Sequence, residues 1–170
     1  MYDLSPFDET IFLDVDVIMC SKHKLPTLFD ELSHLDFTME NRARINIATE
    51  EHRAYLWAEI ADIKDGYGFD KGWLYGLHSE LVYFKKCKKI AAFFETVKEE
   101  FDAPKCKTVV FNGDLPDEFA FAMAMIKHNI YPHKCPFIPL YWYLTDKNKG
   151  SSLGYVQKNY FGYSVGGNAT

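Results

Sequence analysis

A chain of 170 residues has room for one domain with a real core and too little for two, and its 48% apolar and 25% charged residues are the balance of a globular protein, which excludes a disordered chain and a membrane-embedded one. A formal charge of -5 excludes generic nucleic-acid binding, which needs a dense Lys/Arg surface to release counterions. Cys20, Cys87, Cys106 and Cys135 stand far apart with no CxxC or Cys/His spacing, so neither a zinc site nor a disulfide framework is indicated. With no apolar leader and no window of membrane-spanning length, the expected setting is cytoplasmic, with reduced thiols and no membrane partner.

In chain order, residues 10–19 form an apolar, β-branched run broken only by Asp14 and Asp16. The run predicts a buried strand with both carboxylates near its C-terminal end, on one face because side chains alternate along a strand. Pro26, with Leu25, Leu28, Phe29, Leu32 and Leu35 at helical spacing, predicts a short helix. The pattern weakens over 38–71: a helix is expected at 50–63, and Gly66, Gly68 and Gly72 mark a flexible or tightly turning connection. Residues 74–84 predict a second strand, and Ile90, Phe93, Phe94, Val97 and Phe101 then fall on one face of a helix closed by Pro104. Lys85, Lys86, Lys88 and Lys89, the densest positive cluster, read as the solvated start of that helix. A short strand is predicted at 108–111 and a turn at Asn112-Gly113. Asp114 can cap a helix over 115–127 that carries Pro116, Asp117 and Glu118 in its first turn. A last strand is predicted at 137–144. The alternation of strands and helices points to an α/β layer fold, one domain over 1–149, followed by a flexible aromatic and Gly-rich tail over 150–170.

Asp14 and Asp16 carry the sharpest chemical signal. Carboxylates at the end of a buried strand stay ionised only if hydrated, paired or metal-bound. Hard Mg²⁺ or Mn²⁺ suits carboxylate and phosphate oxygens together, and as a Lewis acid it neutralises a departing diphosphate. The local reading of Asp117 and Glu118 is that they complement a helix dipole. His78, His128 and His133 read by default as structural residues.

The segment Ser5-Pro6-Phe7-Asp8-Glu9-Thr10-Ile11-Phe12-Leu13-Asp14-Val15-Asp16 resembles the Asp-x-Asp strand of GT-A-type nucleotide-sugar glycosyltransferases. Further matches follow in the same order. Tyr75-Gly76-Leu77-His78-Ser79-Glu80-Leu81-Val82-Tyr83-Phe84-Lys85-Lys86 is similar to a family strand in which Asn is usual at His78 and Gly at Glu80. Asp114-Leu115-Pro116-Asp117-Glu118-Phe119-Ala120 is similar to the acidic helix start that faces donor sugar and acceptor.

The resemblance covers about residues 5–145 and implies an α/β, GT-A-like (Rossmann-like) mixed sheet flanked by helices, shortened at the N-terminus, since only 13 residues precede Asp14 where a nucleotide-binding region is usual. It implies Asp14 and Asp16 as ligands of Mn²⁺ or Mg²⁺. Asp117 and Glu118 become catalytic candidates, and His78, Ser79, Asp114 and Trp142 donor or acceptor contacts. The implied function is metal-dependent transfer of a sugar from a nucleoside-diphosphate donor to an unknown acceptor. A non-catalytic binding protein on a degenerate glycosyltransferase scaffold is the alternative. Residues 136–142 and 160–167 are expected to supply aromatic walls and a mobile flap, with Lys147, Lys149 and Lys158 as phosphate contacts or ordinary solubilising charges. Strand faces that would meet the missing region imply a homo-oligomer or a complementary subunit.

Overall fold

The computed structural model describes residues 1–20, 24–50, 54–55, 57–108, 115–142 and 153–165. The fold is mixed α/β, with two small three-stranded sheets, a short hairpin and helices packed against them.

The larger sheet has β6 (Trp73–Lys85) at its centre, with β1 (Glu9–Leu13) on one side and β3 (Phe37–Asn46) on the other, all antiparallel. β6 is central because its sequence is apolar on both faces. Val82 and Phe84 enter one core cluster and Leu81 and Tyr83 the other. Helices α3 (Lys88–Asp102) and α4 (Asp117–His128) pack against the first of these faces. Phe37 of β3, Phe93 of α3 and Phe121 of α4 meet there, with centroids 4.6 Å apart for Phe37 and Phe93 and 6.2 Å for Phe93 and Phe121. Every residue of α4 from Phe119 to Met125 is buried, as expected of a helix apolar on all sides. The second face packs on α1 (Lys24–Leu32) through Leu28 and Leu32. At the far side of the first core, Glu100 is 3% exposed and is held by Lys127 and by the Tyr67 hydroxyl, which donates to it at 2.5 Å.

The smaller sheet runs β2 (Val17–Met19), β8 (Gly162–Ser164), β7 (Leu140–Trp142), with β8 antiparallel to β2 and parallel to β7. β4 (Ala54–Tyr55) and β5 (Ala58–Glu59) form the hairpin, which leads into α2 (Ile60–Tyr67). A fifth helix, α5 (Leu153–Asn159), precedes β8.

Several expectations are corrected. Residues 10–19 are two strands and not one: the chain turns at Asp14–Asp16, where the Val17 amide donates to the Asp14 carbonyl at 3.1 Å. β3 occupies much of the segment whose pattern was weak, and the helix expected at 50–63 is a hairpin followed by α2. Gly68 ends α2 in the left-handed region at φ 68°, where a glycine avoids a Cβ clash. Phe101 is 39% exposed and is not on the buried face of α3. Lys85 and Lys86 are tied to the carbonyls of Ser33 and Ser5, and Lys89 lies 3.6 Å from Asp36, so the lysine cluster is partly anchored. The described part of the tail is helix and strand where a loop was expected. Residues 109–111 of the strand predicted at 108–111, the Asn112-Gly113 turn, and Asp114, Lys147 and Lys149 lie outside the described residues. Cys20, Cys87, Cys106 and Cys135 are free thiols. Among the described residues, no helix is long and apolar enough to cross a membrane.

Candidate functional site

Three elements far apart in sequence bring carboxylates together. The first is the turn between β1 and β2. Antiparallel pairing with β6 continues past Leu13↔Leu81 to the Asp14 amide, which donates to the Glu80 carbonyl at 3.0 Å. The Asp14 side chain folds back to accept from the Val15 amide at 2.7 Å, while Val15 itself is 99% exposed. Asp14 and Asp16 therefore lie at the two ends of a turn held by backbone hydrogen bonds, not on one strand face.

The second element is a bulge in β6. Its ladder with β3 jumps from Met39↔Val82 to Glu40↔His78, so Ser79, Glu80 and Leu81 swing out of the β3 pairing while Leu81 keeps its partner in β1. Bulges re-aim side chains in this way. The third is the N-terminus of α4, whose cap residue Pro116 supplies no side-chain hydrogen bond. Asp117 and Glu118 occupy its first turn, where unpaired helix amides favour negative charge. The Ser79 hydroxyl donates to Asp117 Oδ1 at 3.1 Å and links bulge to helix.

Asp14, Asp16, Glu80, Asp117 and Glu118 thus share one electrostatic field. Burial, then the Asp14 charge, raises the Asp16 carboxyl above its ordinary value. Glu80 is pushed up to about 7, by burial first and then by Asp16, Asp14 and Asp117, against a backbone hydrogen bond that lowers it. Glu118 is raised by burial, by the adjacent Asp117 charge and by a hydrogen bond it shares with that carboxylate. Protonated Glu118 is then the donor and Asp117 the acceptor. Perturbed acids gathered in one place mark a candidate site.

Asp16 Oδ1 and Glu80 Oε2 are buried with no hydrogen-bond partner among the described atoms. Such orphaned acceptors next to like charges are costly, and a divalent cation satisfies both complaints at once. Among the described residues, no three His, Cys, Asp or Glu side chains are arranged to hold a metal unaided. A cation at Asp14 and Asp16 would therefore need further ligands from phosphate or water, as hard cations commonly do.

His78 pairs with Glu40 of β3 where the bulge of β6 begins. Its ring lies 4.2 Å, edge to face, from half-buried Trp142, and the Arg42 guanidinium sits 4.9 Å from the Trp142 centroid. Burial, reinforced by the Arg42 charge, lowers His78 to about 4, so the ring is neutral at physiological pH. Arg42 lies 3.8 Å from fully buried Glu40. Neither Glu40 nor Arg42 was singled out from sequence, although their two-residue spacing puts them on one face of a strand.

His128 is placed elsewhere, within 2.8 Å of the Thr96 hydroxyl, and His133 lies 3.4 Å from Glu31. Both keep their structural reading. Lys158 is exposed on α5.

A pH prediction follows from Glu80. Its folded pKa is raised above the ordinary glutamate value of 4.5, so the folded state binds the extra proton and the contribution to stability is fully present below about 4.5 and lost as pH rises through about 7. Without added metal, Glu80→Gln should flatten the fall in thermal midpoint between those limits. A wild-type slope in the variant would show that Glu80 does not titrate in this window.

No protein-family model matches the chain, and neither a curated protein nor a solved structure is significantly similar to it.

Proposed function

We propose that the chain transfers a sugar from a nucleoside-diphosphate donor to an acceptor hydroxyl, in the manner of the GT-A glycosyltransferases its sequence resembles. One observation carries this reading. The three segments that resemble the family in order, at residues 5–16, 75–86 and 114–120, meet in the fold through their acidic residues, by the Asp14 amide to Glu80 and the Ser79 hydroxyl to Asp117.

Asp14 and Asp16 are the residues that would hold Mn²⁺ or Mg²⁺, which when bound supplies Lewis-acid neutralisation of the leaving diphosphate. Asp117, oriented by Ser79, or Glu118 beside it at the helix start would accept the single proton of the attacking hydroxyl. Burial gives Glu118 a high proton affinity, which makes it a strong base once its proton has left. Trp142 and neutral His78, packed edge to face beside the Arg42 guanidinium, would give a sugar ring an aromatic edge to lie against.

Calorimetry tests this directly. Mn²⁺ should bind weakly alone and roughly tenfold or more tightly when a nucleoside diphosphate completes the coordination shell. Absence of any nucleotide-dependent gain at millimolar Mn²⁺ would sink the reading.

A further inference from the structure

We propose that β8 is a clamp that positions the acidic turn, and that Gly162 is the point at which the clamp seats. β2 begins at Val17, directly after Asp16, and lies at the edge of its sheet with β8 as its ladder partner. The pairing is Val17↔Ser164, Ile18↔Tyr163 and Met19↔Gly162. Beyond each end of this ladder a backbone hydrogen bond extends it. The Val165 amide donates to the Asp16 carbonyl at 3.2 Å, and the Cys20 amide donates to the Phe161 carbonyl at 3.1 Å.

Of the three β2 side chains, Val17 packs against the second core and the other two are largely outside it. Ile18 is 48% exposed and Met19 39%, so beyond Val17 the strand is held mainly by its backbone pairing with β8. The acidic turn is thus gripped from both ends. β6 holds Asp14 through the Glu80 carbonyl, and β8 holds Asp16 through the Val165 amide. The clamp is itself anchored, because Lys24 Nζ donates to the Tyr160 carbonyl at 2.7 Å.

The closeness of the fit makes Gly162 specific. A Cβ there would stand 2.8 Å from the Ile18 carbonyl oxygen, 3.3 Å from Leu140 Cδ2 and 3.4 Å from Val17 Cγ1. The nearest atom is backbone, so a side chain at 162 must push β2 away and move Asp16 with it. Gly154, in α5 of the same C-terminal segment, has no atom within 4 Å of an added Cβ. It is the natural control.

A second consequence rests on the proposed cation role of Asp14 and Asp16. If the cation binds only the clamped turn, then by linkage it must tighten β8 docking by the same factor by which docking tightens the cation.

The test compares wild type with Gly162→Ala, Val165→Pro and Gly154→Ala. Amide exchange by nuclear magnetic resonance on the metal-free protein reports the clamp. The Cys20 amide reads the ladder and the Val17 amide reads the turn. Both should exchange roughly tenfold or more faster in Gly162→Ala and Val165→Pro, as expected when a backbone hydrogen bond and its neighbours are lost. Core amides of β6 should keep their protection, and Gly154→Ala should match wild type. Mn²⁺ affinity should fall roughly five- to tenfold in the same two variants. Should Gly162→Ala fail to fold, Val165→Pro decides, because that side chain is 43% exposed and the change removes one donor. Wild-type exchange at Val17 and Cys20 in Val165→Pro overturns the clamp. Clamp-dependent exchange in a protein that binds no Mn²⁺ would instead overturn the metal reading and leave the clamp standing.

Discussion

Asp16→Asn is expected to lower turnover by roughly a hundredfold or more while leaving the fold intact, since removing one preorganised electrostatic contact to a developing charge typically costs that much. The amide is nearly isosteric and keeps an oxygen at the position that is now buried without a partner. What changes is charge. The loss should appear first as weakened binding of Mn²⁺ with a nucleoside diphosphate. Asp14→Asn should behave alike, because an asparagine oxygen can still accept from the Val15 amide and preserve the turn. Both substitutions remove a negative neighbour of Glu80, so the raised Glu80 carboxyl should move back toward its ordinary value. Metal-dependent nucleotide binding that survives both substitutions would remove the turn from the site.

Glu118→Gln is expected to do the opposite. Turnover should fall by roughly a hundred- to ten-thousand-fold, the usual contribution of a positioned acid or base, while the affinity for donor with Mn²⁺ stays within about threefold of wild type. Asp117→Asn should follow the same split, because the asparagine oxygen can still accept from the Ser79 hydroxyl and only the charge is lost. The wild-type pH profile carries its own sign. Glu118 must shed its proton to act as a base, and its carboxyl is raised by burial and by Asp117, so activity should climb with pH beyond the ordinary glutamate range. That climb should vanish in Glu118→Gln. Circular dichroism guards the interpretation: parallel loss of helix content and activity would return both residues to the role of helix-start charges, and full activity in either variant would strike that residue from the mechanism.

Much of the scaffold was legible because apolar periodicity wrote it. β6 and α3 follow from runs whose spacing has one reading, whereas α4, expected from 115 with Pro116 in its first turn, starts at Asp117 with Pro116 as its cap residue. β3 was missed because Glu40, Asn41, Arg42 and Arg44 make it look like a polar connection. Burial of Glu40 against Arg42 and of Asn41 beneath Lys134 overrides that local appearance. The acidic turn was misread as strand because Val15 and Val17 continue the β-branched pattern across it, while pairing to two different sheets breaks the chain between them.

Of the candidate site, Asp14, Asp16, Asp117, Glu118, Ser79 and His78 were named from sequence. Glu80 entered only as a departure from the family pattern. Its place between the two acidic groups depends on a ladder slip that no local spacing records. Gly162 had looked like one more glycine in a loose tail, and its importance lies in a contact with Ile18 that only the fold supplies.

The antiparallel ladder between Val17 and Ser164 joins residues near opposite ends of the sequence and sets an order of events for a growing chain. Local units such as α3 can form while synthesis continues, but β2 has to wait until β8 has been made. Until then Asp14 and Asp16 sit on a segment fixed at one end. Acquisition of the acidic turn should therefore be a late folding step, slower than helix formation, and a nascent chain released before β8 would hold most of its core without the geometry on which its chemistry depends.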